Sequence, residues 1–258
     1  MNAAISRLQE MKERGERIAL LTAYDYPTAR LLEESGVDML LVGDSLGMVV
    51  LGYPDTTHVA IEEMIHHTRA VARGVKRAPI VADLPIATYR TAGEAVANAR
   101  RLIEAGAHAV KLEGGASHAP QIEALADAGI PLMAHIGMMP QSVRAEGGYR
   151  IKGRTSEEAS GLMADAIAVE KAGAFAIVLE LVVADVARRI SETVRVPTIG
   201  IGSGPHCDGE VLVTHDLIGL FPWFTPKFVA PRAKVADAIR TAATEFVRAT
   251  KAVEAGSH

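Results

Sequence analysis

Short apolar runs alternate with Ala-, Glu-, Leu- and Arg-rich segments along the whole of this chain. β-branched runs bounded by turn residues predict buried strands. The sequence places them at Ile18–Ala23, Met39–Asp44, Pro79–Leu84, Ala109–Glu113, Pro131–Ile136, Phe175–Leu181, Pro197–Ile201 and Val211–Val213. Between them the spacing predicts helices over Pro27–Ser35, Ile61–Val75, Ala92–Ala105, Ala119–Ala128, Ser156–Ala172 and Ala184–Thr193, and a long last helix over Ala233–Val253. Four helix ends carry nearly one phrase: Glu34-Ser35-Gly36-Val37, Glu104-Ala105-Gly106-Ala107, Ala126-Asp127-Ala128-Gly129 and Lys171-Ala172-Gly173-Ala174. Glycine just past the last turn stops a helix because it takes the left-handed conformation without a Cβ clash. Helix, glycine, turn and apolar strand, repeated this often, is the pattern of βα units.

Eight strands, each followed by a helix, make a (β/α)8 TIM barrel, an α/β fold whose usual size the 258 residues match. A doubly wound open sheet is the structural alternative. It gathers its ligand groups at one switch point, whereas here residues with chemistry end at least four strands spread over the chain. No linker or composition break interrupts the sequence, so the expectation is a single domain over 1–258. Met1–Glu16 reads as an amphipathic N-terminal helix with Ile5, Leu8 and Met11 at helical spacing, and 255–258 as a loose tail.

Composition excludes several classes of function. Hydrophobic residues are 49% and charged residues 22%, enough for a sizeable core. A net charge of -4 argues against nucleic acid as a partner. No apolar run approaches the length of a membrane span, and the N-terminal segment lacks the apolar core and cleavage site of a signal peptide. The single cysteine, Cys207, allows no intrachain disulfide, and the cytoplasm is the expected compartment.

Four of the apolar runs end on charge: Asp44, Asp83, the Lys111–Glu113 pair and Glu180. An unpartnered buried carboxylate costs several kcal/mol. Acids at the same end of several parallel strands therefore point to a metal site, an acid–base site, or both. Asp44 and Asp83 each precede a turn. Two carboxylates with waters and a chelating substrate is a common way to hold Mg²⁺; capping of the following turn is the other use of an Asp there. Lys111 and Glu113 are two apart, so they share one strand face; if Val110 and Leu112 meet the helices, they face the barrel axis. A purely structural ion pair is the alternative, at a desolvation cost. Glu180 ends an unbroken apolar run, and apolar surroundings suit a carboxylate to act as a base near neutral pH. His135 ends the fifth predicted strand, where it could bind a substrate oxygen or orient a neighbour. Gly200-Ile201-Gly202-Ser203-Gly204 has G-x-G but not the full dinucleotide fingerprint. Cys207 beside His206 is a nucleophile only if geometry agrees. His58, His66, His67 and His118 lack metal-ligand spacing with one another.

Several segments together resemble the ketopantoate hydroxymethyltransferase family over about residues 18 to 221. They are Leu21-Thr22-Ala23-Tyr24-Asp25, Val42-Gly43-Asp44-Ser45-Leu46-Gly47, Ala82-Asp83-Leu84-Pro85, Lys111-Leu112-Glu113-Gly114-Gly115, His135-Ile136-Gly137, Pro140-Gln141-Ser142-Val143, Gly147-Gly148-Tyr149, Val178-Leu179-Glu180 and Ile199-Gly200-Ile201-Gly202-Ser203-Gly204 with Asp208-Gly209. The resemblance implies a barrel of the phosphoenolpyruvate/pyruvate-type superfamily. It implies hydroxymethyl transfer from 5,10-methylenetetrahydrofolate to 3-methyl-2-oxobutanoate through a Mg²⁺-stabilised enolate, giving 2-dehydropantoate for pantothenate and coenzyme A biosynthesis. Carried over by position, Asp44 and Asp83 bind Mg²⁺ with Glu113 beside it, directly or through water; Asp44, Ser45, Asp83 and Lys111 contact the oxo acid; Glu180 is the base; His135 stands behind them. The family also implies a homo-oligomer, often a decamer. The chain departs from the family pattern at Ile86-Ala87-Thr88, Met138-Met139 and Glu210, and lacks a proline soon after Glu180. The alternative within the superfamily is a Mg²⁺-dependent lyase or mutase acting on another 2-oxo acid.

Overall fold

The computed structural model describes residues 3–254, so the expected tail at 255–258 lies outside the described residues. The chain divides into two compact units, Met1–Val211 and Leu212–His258. Element order is α1 (Ala3–Glu13), β1 (Ile18–Thr22), α2 (Tyr26–Glu34), β2 (Met39–Val42), α3 (Leu46–Val49), α4 (Ile61–Gly74), β3 (Ile80–Asp83), α5 (Ala92–Glu104), β4 (Ala109–Glu113) and α6 (Ala119–Asp127). There follow β5 (Leu132–Gly137), α7 (Ser156–Lys171), β6 (Ala176–Glu180), α8 (Ala184–Thr193), β7 (Thr198–Ile201), β8 (Gly209–Leu212), α9 (Thr214–Leu217) and α10 (Val235–Glu254).

Consecutive strands pair in parallel, and the eight close into a barrel. The expected fold is therefore present, and the open sheet is excluded. Helix starts are set by side chains that accept the otherwise unpaired N–H groups. Asp25 takes the Thr28 N–H at 2.8 Å, Thr91 that of Glu94 at 3.2 Å and Thr155 that of Glu158 at 3.1 Å.

Two expectations need correction. First, β7 is not followed by a helix: the seven residues between Ile201 and Gly209 pass directly into β8. Gly202, Ser203, Gly204 and Pro205 leave no room for a helical turn, and Ser203 braces the loop instead, donating to Leu179 O at 2.7 Å. Second, β8 starts at Gly209 rather than Val211. Ile18 N–H donates to Asp208 O at 3.0 Å where β8 approaches β1, and a Cβ on residue 209 would lie 2.5 Å from Ile18 O. Glycine permits that approach, so pairing begins two residues before the apolar run does.

Strand residues alternate between two apolar clusters, as period two requires. Leu40, Val42, Ile80, Ala82, Val110, Leu112, Ala134, Ile136, Ile177 and Leu179 pack outward with the helices. Leu20, Met39, Leu41, Val81, Ala109, Met133, Ala176, Val178, Ile199 and Val211 fill the barrel interior. The same interior cluster contains Ile5, Leu8 and Met11 of α1. This helix floors the barrel at the N-terminal ends of its strands. Full burial of each such side chain contributes about 1.5–3 kcal/mol. Lys12 completes the floor by donating to Ser191 O at 3.0 Å and to Val194 O and Val196 O at 2.9 Å, with Asp208 Oδ2 at 3.0 Å.

In the second unit, Arg232 N–H donates to Leu217 O at 2.7 Å and Val235 N–H to Ile218 O at 3.1 Å, tying the start of α10 back to the end of α9. Among the described residues no helix is long and apolar enough to cross a membrane.

Candidate active site

Above the apolar interior, the axis-facing positions turn polar. Strand register sets them side by side: Asp83 of β3 pairs with Lys111 of β4, Glu113 of β4 with His135 of β5, and Gly137 of β5 with Glu180 of β6. Val110 and Leu112 do face the helices, so Lys111 and Glu113 share the axial face as the sequence predicts. Asp44 is not the last residue of its strand, because β2 stops at Val42. It sits on the turn beyond, where its N–H donates to Asp83 Oδ2 at 3.0 Å and fixes the two acids as neighbours. Asp44, Asp83, Lys111, Glu113, His135 and Glu180 are all between 2% and 8% exposed.

Glu180 is aimed by a sharp reversal of the chain. Leu181 takes a left-handed φ of +49°, an uncommon conformation for a residue with a Cβ. Hydrogen bonds hold it there: Leu181 N–H to Ile201 O at 2.9 Å, Lys152 N–H to Leu181 O at 2.8 Å, and Val182 N–H to Ser203 Oγ at 2.9 Å. On the other side, Gly137 has φ +99°, and a Cβ there would lie 2.4 Å from the Glu180 carbonyl oxygen. Glycine thus lets Met138 N–H reach that carbonyl at 2.8 Å.

Four carboxylates surround one ammonium. Lys111 Nζ lies 3.0 Å from Asp83 Oδ1 and 3.3 Å from His135 Nδ1. An ammonium only donates, so Nδ1 accepts and the imidazole proton sits on Nε2. That nitrogen faces Met138 O at 3.0 Å and Glu180 Oε2 at 3.4 Å. His135 thus stands between the lysine and the Glu180 carboxylate. Burial, and then the charge of Asp83, push the Asp44 carboxyl up to about 7 against the pull of Lys111 and of the Gln141 amide. Burial, and then Asp44, raise Glu113 well above the usual carboxylate range. Burial pulls the Lys111 ammonium down, but Asp83, Glu113 and Asp44 outweigh it and hold it raised.

Such a surplus of buried negative charge calls for protons or a cation. The donor set fits a hard divalent ion. Asp83 Oδ1 is buried with the Lys111 ammonium 3.0 Å away but with no well-directed hydrogen bond. Among the described residues no three His, Cys, Asp or Glu side chains form a ready-made cage. Mg²⁺ is commonly held by one or two carboxylates together with water and a chelating ligand. Ser45, at the edge of the cluster, meets Tyr24, with the two hydroxyl oxygens 2.8 Å apart.

Gln141 is the residue whose role the sequence did not reveal. It lies on the turn Pro140–Ser142 and is buried against the acids. Its amide donates to Asp44 Oδ2 at 2.8 Å and to Leu84 O at 3.1 Å, and its N–H donates to Glu113 Oε2 at 2.9 Å. Tyr89 donates to Gln141 Oε1 at 2.5 Å. Spacing could not have found it, since it stands 97 residues from Asp44. Its place in one of the family-like segments was the available signal. Cys207 is buried behind the barrel wall with its sulfur toward Gly200, away from the acids, so the nucleophile reading fails.

The chain matches the model of a family described as ketopantoate hydroxymethyltransferase over residues 2–256. It is similar to the 3-methyl-2-oxobutanoate hydroxymethyltransferase of Moorella thermoacetica, 55% identical over 244 residues, 94% of this chain and 91% of that one. Among solved structures, it resembles a phosphoenolpyruvate phosphomutase from Streptomyces platensis, with TM-score 0.68, 19% identity, and coverage of 98% of this chain and 91% of that one. It also resembles 2,3-dimethylmalate lyase, a member of the PEP mutase/isocitrate lyase superfamily, with TM-score 0.64, 17% identity, and coverage of 96% and 89%.

Proposed function

The chain belongs to the ketopantoate hydroxymethyltransferase family, and from that premise we propose how its residues divide the work of hydroxymethyl transfer to 3-methyl-2-oxobutanoate in pantothenate biosynthesis. Asp44 and Asp83 would hold Mg²⁺, with Glu113 beside them. The observation that supports this most is the buried oxygen Asp83 Oδ1, without a well-directed hydrogen bond amid surplus negative charge. When bound, the ion would polarise the keto oxygen as a Lewis acid.

The remaining steps belong to the side chains. Lys111 pairs with the negative charge of the oxo acid, Ser45 offers it a hydroxyl donor, and Asp44 and Asp83 would meet it by way of the cation. Glu180, held by the reversal at Leu181, takes the C3 proton, and electron density moves onto the keto oxygen as the enolate forms. His135, whose Nε2 bonds to Met138 O, stands 3.4 Å from Glu180 Oε2 and packs beside that carboxylate. The enolate carbon then bonds to the methylene carbon of 5,10-methylenetetrahydrofolate. Both C–N bonds to that carbon break in the course of the transfer, water supplies the hydroxyl, and the two donor nitrogens take up one proton from C3 by way of Glu180 and one from water. A preformed, buried charge cluster costs little reorganisation during reaction. Residues 1–258 are read as one barrel domain, working in the cytoplasm.

Self-association is part of the same proposal. α10 exposes Ile239, Phe246 and Val247, spaced i, i+7 and i+8, an apolar stripe that ordinarily has a partner. A chain that scatters light as a monomer would remove this element alone.

Deuterium exchange at C3 of 3-methyl-2-oxobutanoate, followed by proton NMR in heavy water with Mg²⁺ and no folate, tests the central step. Wild type is expected to exchange. Glu180→Gln is expected to lose about 10²–10⁴-fold in rate while Mg²⁺ and oxo acid still bind. Wild type without exchange sinks the mechanism; undiminished exchange in the variant removes Glu180 as base.

A further inference from the structure

We infer that Gln141 is a positioning residue, one that fixes the Asp44 and Glu113 carboxylates for the cation by donating to both. The inference rests on the proposed Mg²⁺ site and adds a component that none of the strand tips supplies.

Every hydrogen-bonding group of this residue within the cluster is committed. The two amide protons go to Asp44 Oδ2 and Leu84 O, the amide oxygen accepts from Tyr89, and the backbone N–H goes to Glu113 Oε2. The orientation of the amide follows from its partners. Reversed, its oxygen would face Asp44 Oδ2 at 2.8 Å and the Leu84 carbonyl at 3.1 Å, oxygen against oxygen. Tyr89 is itself buried, and with its one hydroxyl proton given to Gln141 its oxygen lies 3.2 Å from Glu113 O, so the brace rests against the β4 strand end. Gln121 in turn donates to Tyr89 O at 3.2 Å.

Gln141 therefore reaches from the loop after β5 to the turn after β2, the loop after β3 and the last residue of β4. One oxygen of Asp44 and one of Glu113 are occupied by its donors. Each carboxylate is thereby held in one rotation, its second oxygen set by the first. Partners of this kind behind metal-binding carboxylates typically contribute about 10–100-fold to metal affinity or activity.

The test is Mg²⁺ titration calorimetry on the full-length protein, with a thermal melt in chelator alongside. Gln141→Met keeps the volume and the backbone N–H but removes the side-chain donors. It is expected to weaken Mg²⁺ about 10–100-fold, and to raise KM for the oxo acid, while the chelated protein still melts cooperatively. Tyr89→Phe, which frees the amide oxygen, is expected to weaken Mg²⁺ by a smaller factor. Combined with Gln141→Met it should add nothing further, because the two act through one contact. Unchanged Mg²⁺ affinity in a folded Gln141→Met protein overturns the inference, as does full additivity of the pair. Should Gln141→Met fail to fold, the Tyr89→Phe titration decides by the same criterion. Wild type that binds no Mg²⁺ defeats the metal site itself, a separate outcome.

Discussion

The two ends of this barrel each hold a lysine, half-buried at the floor and buried at the mouth, and the two are treated in opposite ways. At the floor, Lys12 meets three carbonyl oxygens and one carboxylate, so its donors and its charge are matched where it sits. At the mouth, Lys111 faces Asp83 with Asp44, Glu113 and Glu180 close by, and the charge around it is far from matched. The same alternation of strand residues builds both ends. One end is complete within the chain. The other is built to be completed by something that arrives.

The sharpest break in this comparison is Asp83→Ala. Removing a mouth acid should take Mg²⁺ and oxo-acid binding out of calorimetric reach while the melt in chelator stays the same or rises, since a surplus buried charge has gone. A collapsed melt would mean that the mouth, like the floor, serves cohesion. Leu8→Ala is the mirror image. It should cost about 2–5 kcal/mol in chemical denaturation and leave the Mg²⁺ affinity of the folded protein where it was. Weaker Mg²⁺ binding by that variant would couple the two ends and end the contrast.

The smallest effect is a drift with pH. Asp44 titrates near 7 in the folded chain, well above an ordinary Asp. Between about 4 and 7 the native state therefore holds a proton the unfolded state has lost. By linkage this makes stability fall as pH rises across that window. The melting temperature of wild type minus that of Asp44→Asn, measured in chelator, should decline from pH 4 to 7. Saturating Mg²⁺ should flatten the decline, because the ion takes the proton's place. A difference that rises with pH would reverse the assignment.

Much of this was written locally in the sequence. Period two put Lys111 and Glu113 on one face, and glycines after helices marked the units of the barrel. The paired acids Asp44 and Asp83 were legible because each closes an apolar run. What escaped was non-local or depended on backbone approach. Gln141 serves Asp44 from the far side of three strands, and no spacing rule spans such a gap. The start of β8 was hidden because Gly209 pairs through its lack of a side chain, not through apolarity. Ile5, Leu8 and Met11 announced an amphipathic helix, but periodicity does not say what a helix will cover. Only the closed barrel supplies that surface.

The flooring helix also has a history within each molecule's folding. α1 leaves the ribosome before every strand it floors, and its partners in the barrel interior run to Val211. The Lys12 hydrogen bonds close loops of 179 to 184 residues. Contacts so distant in sequence form slowly. Until β8 is made, the apolar stripe of α1 has no complete seat, the situation in which nascent chains depend on chaperones. A helix made ahead of the whole barrel is thus among the last elements to be secured.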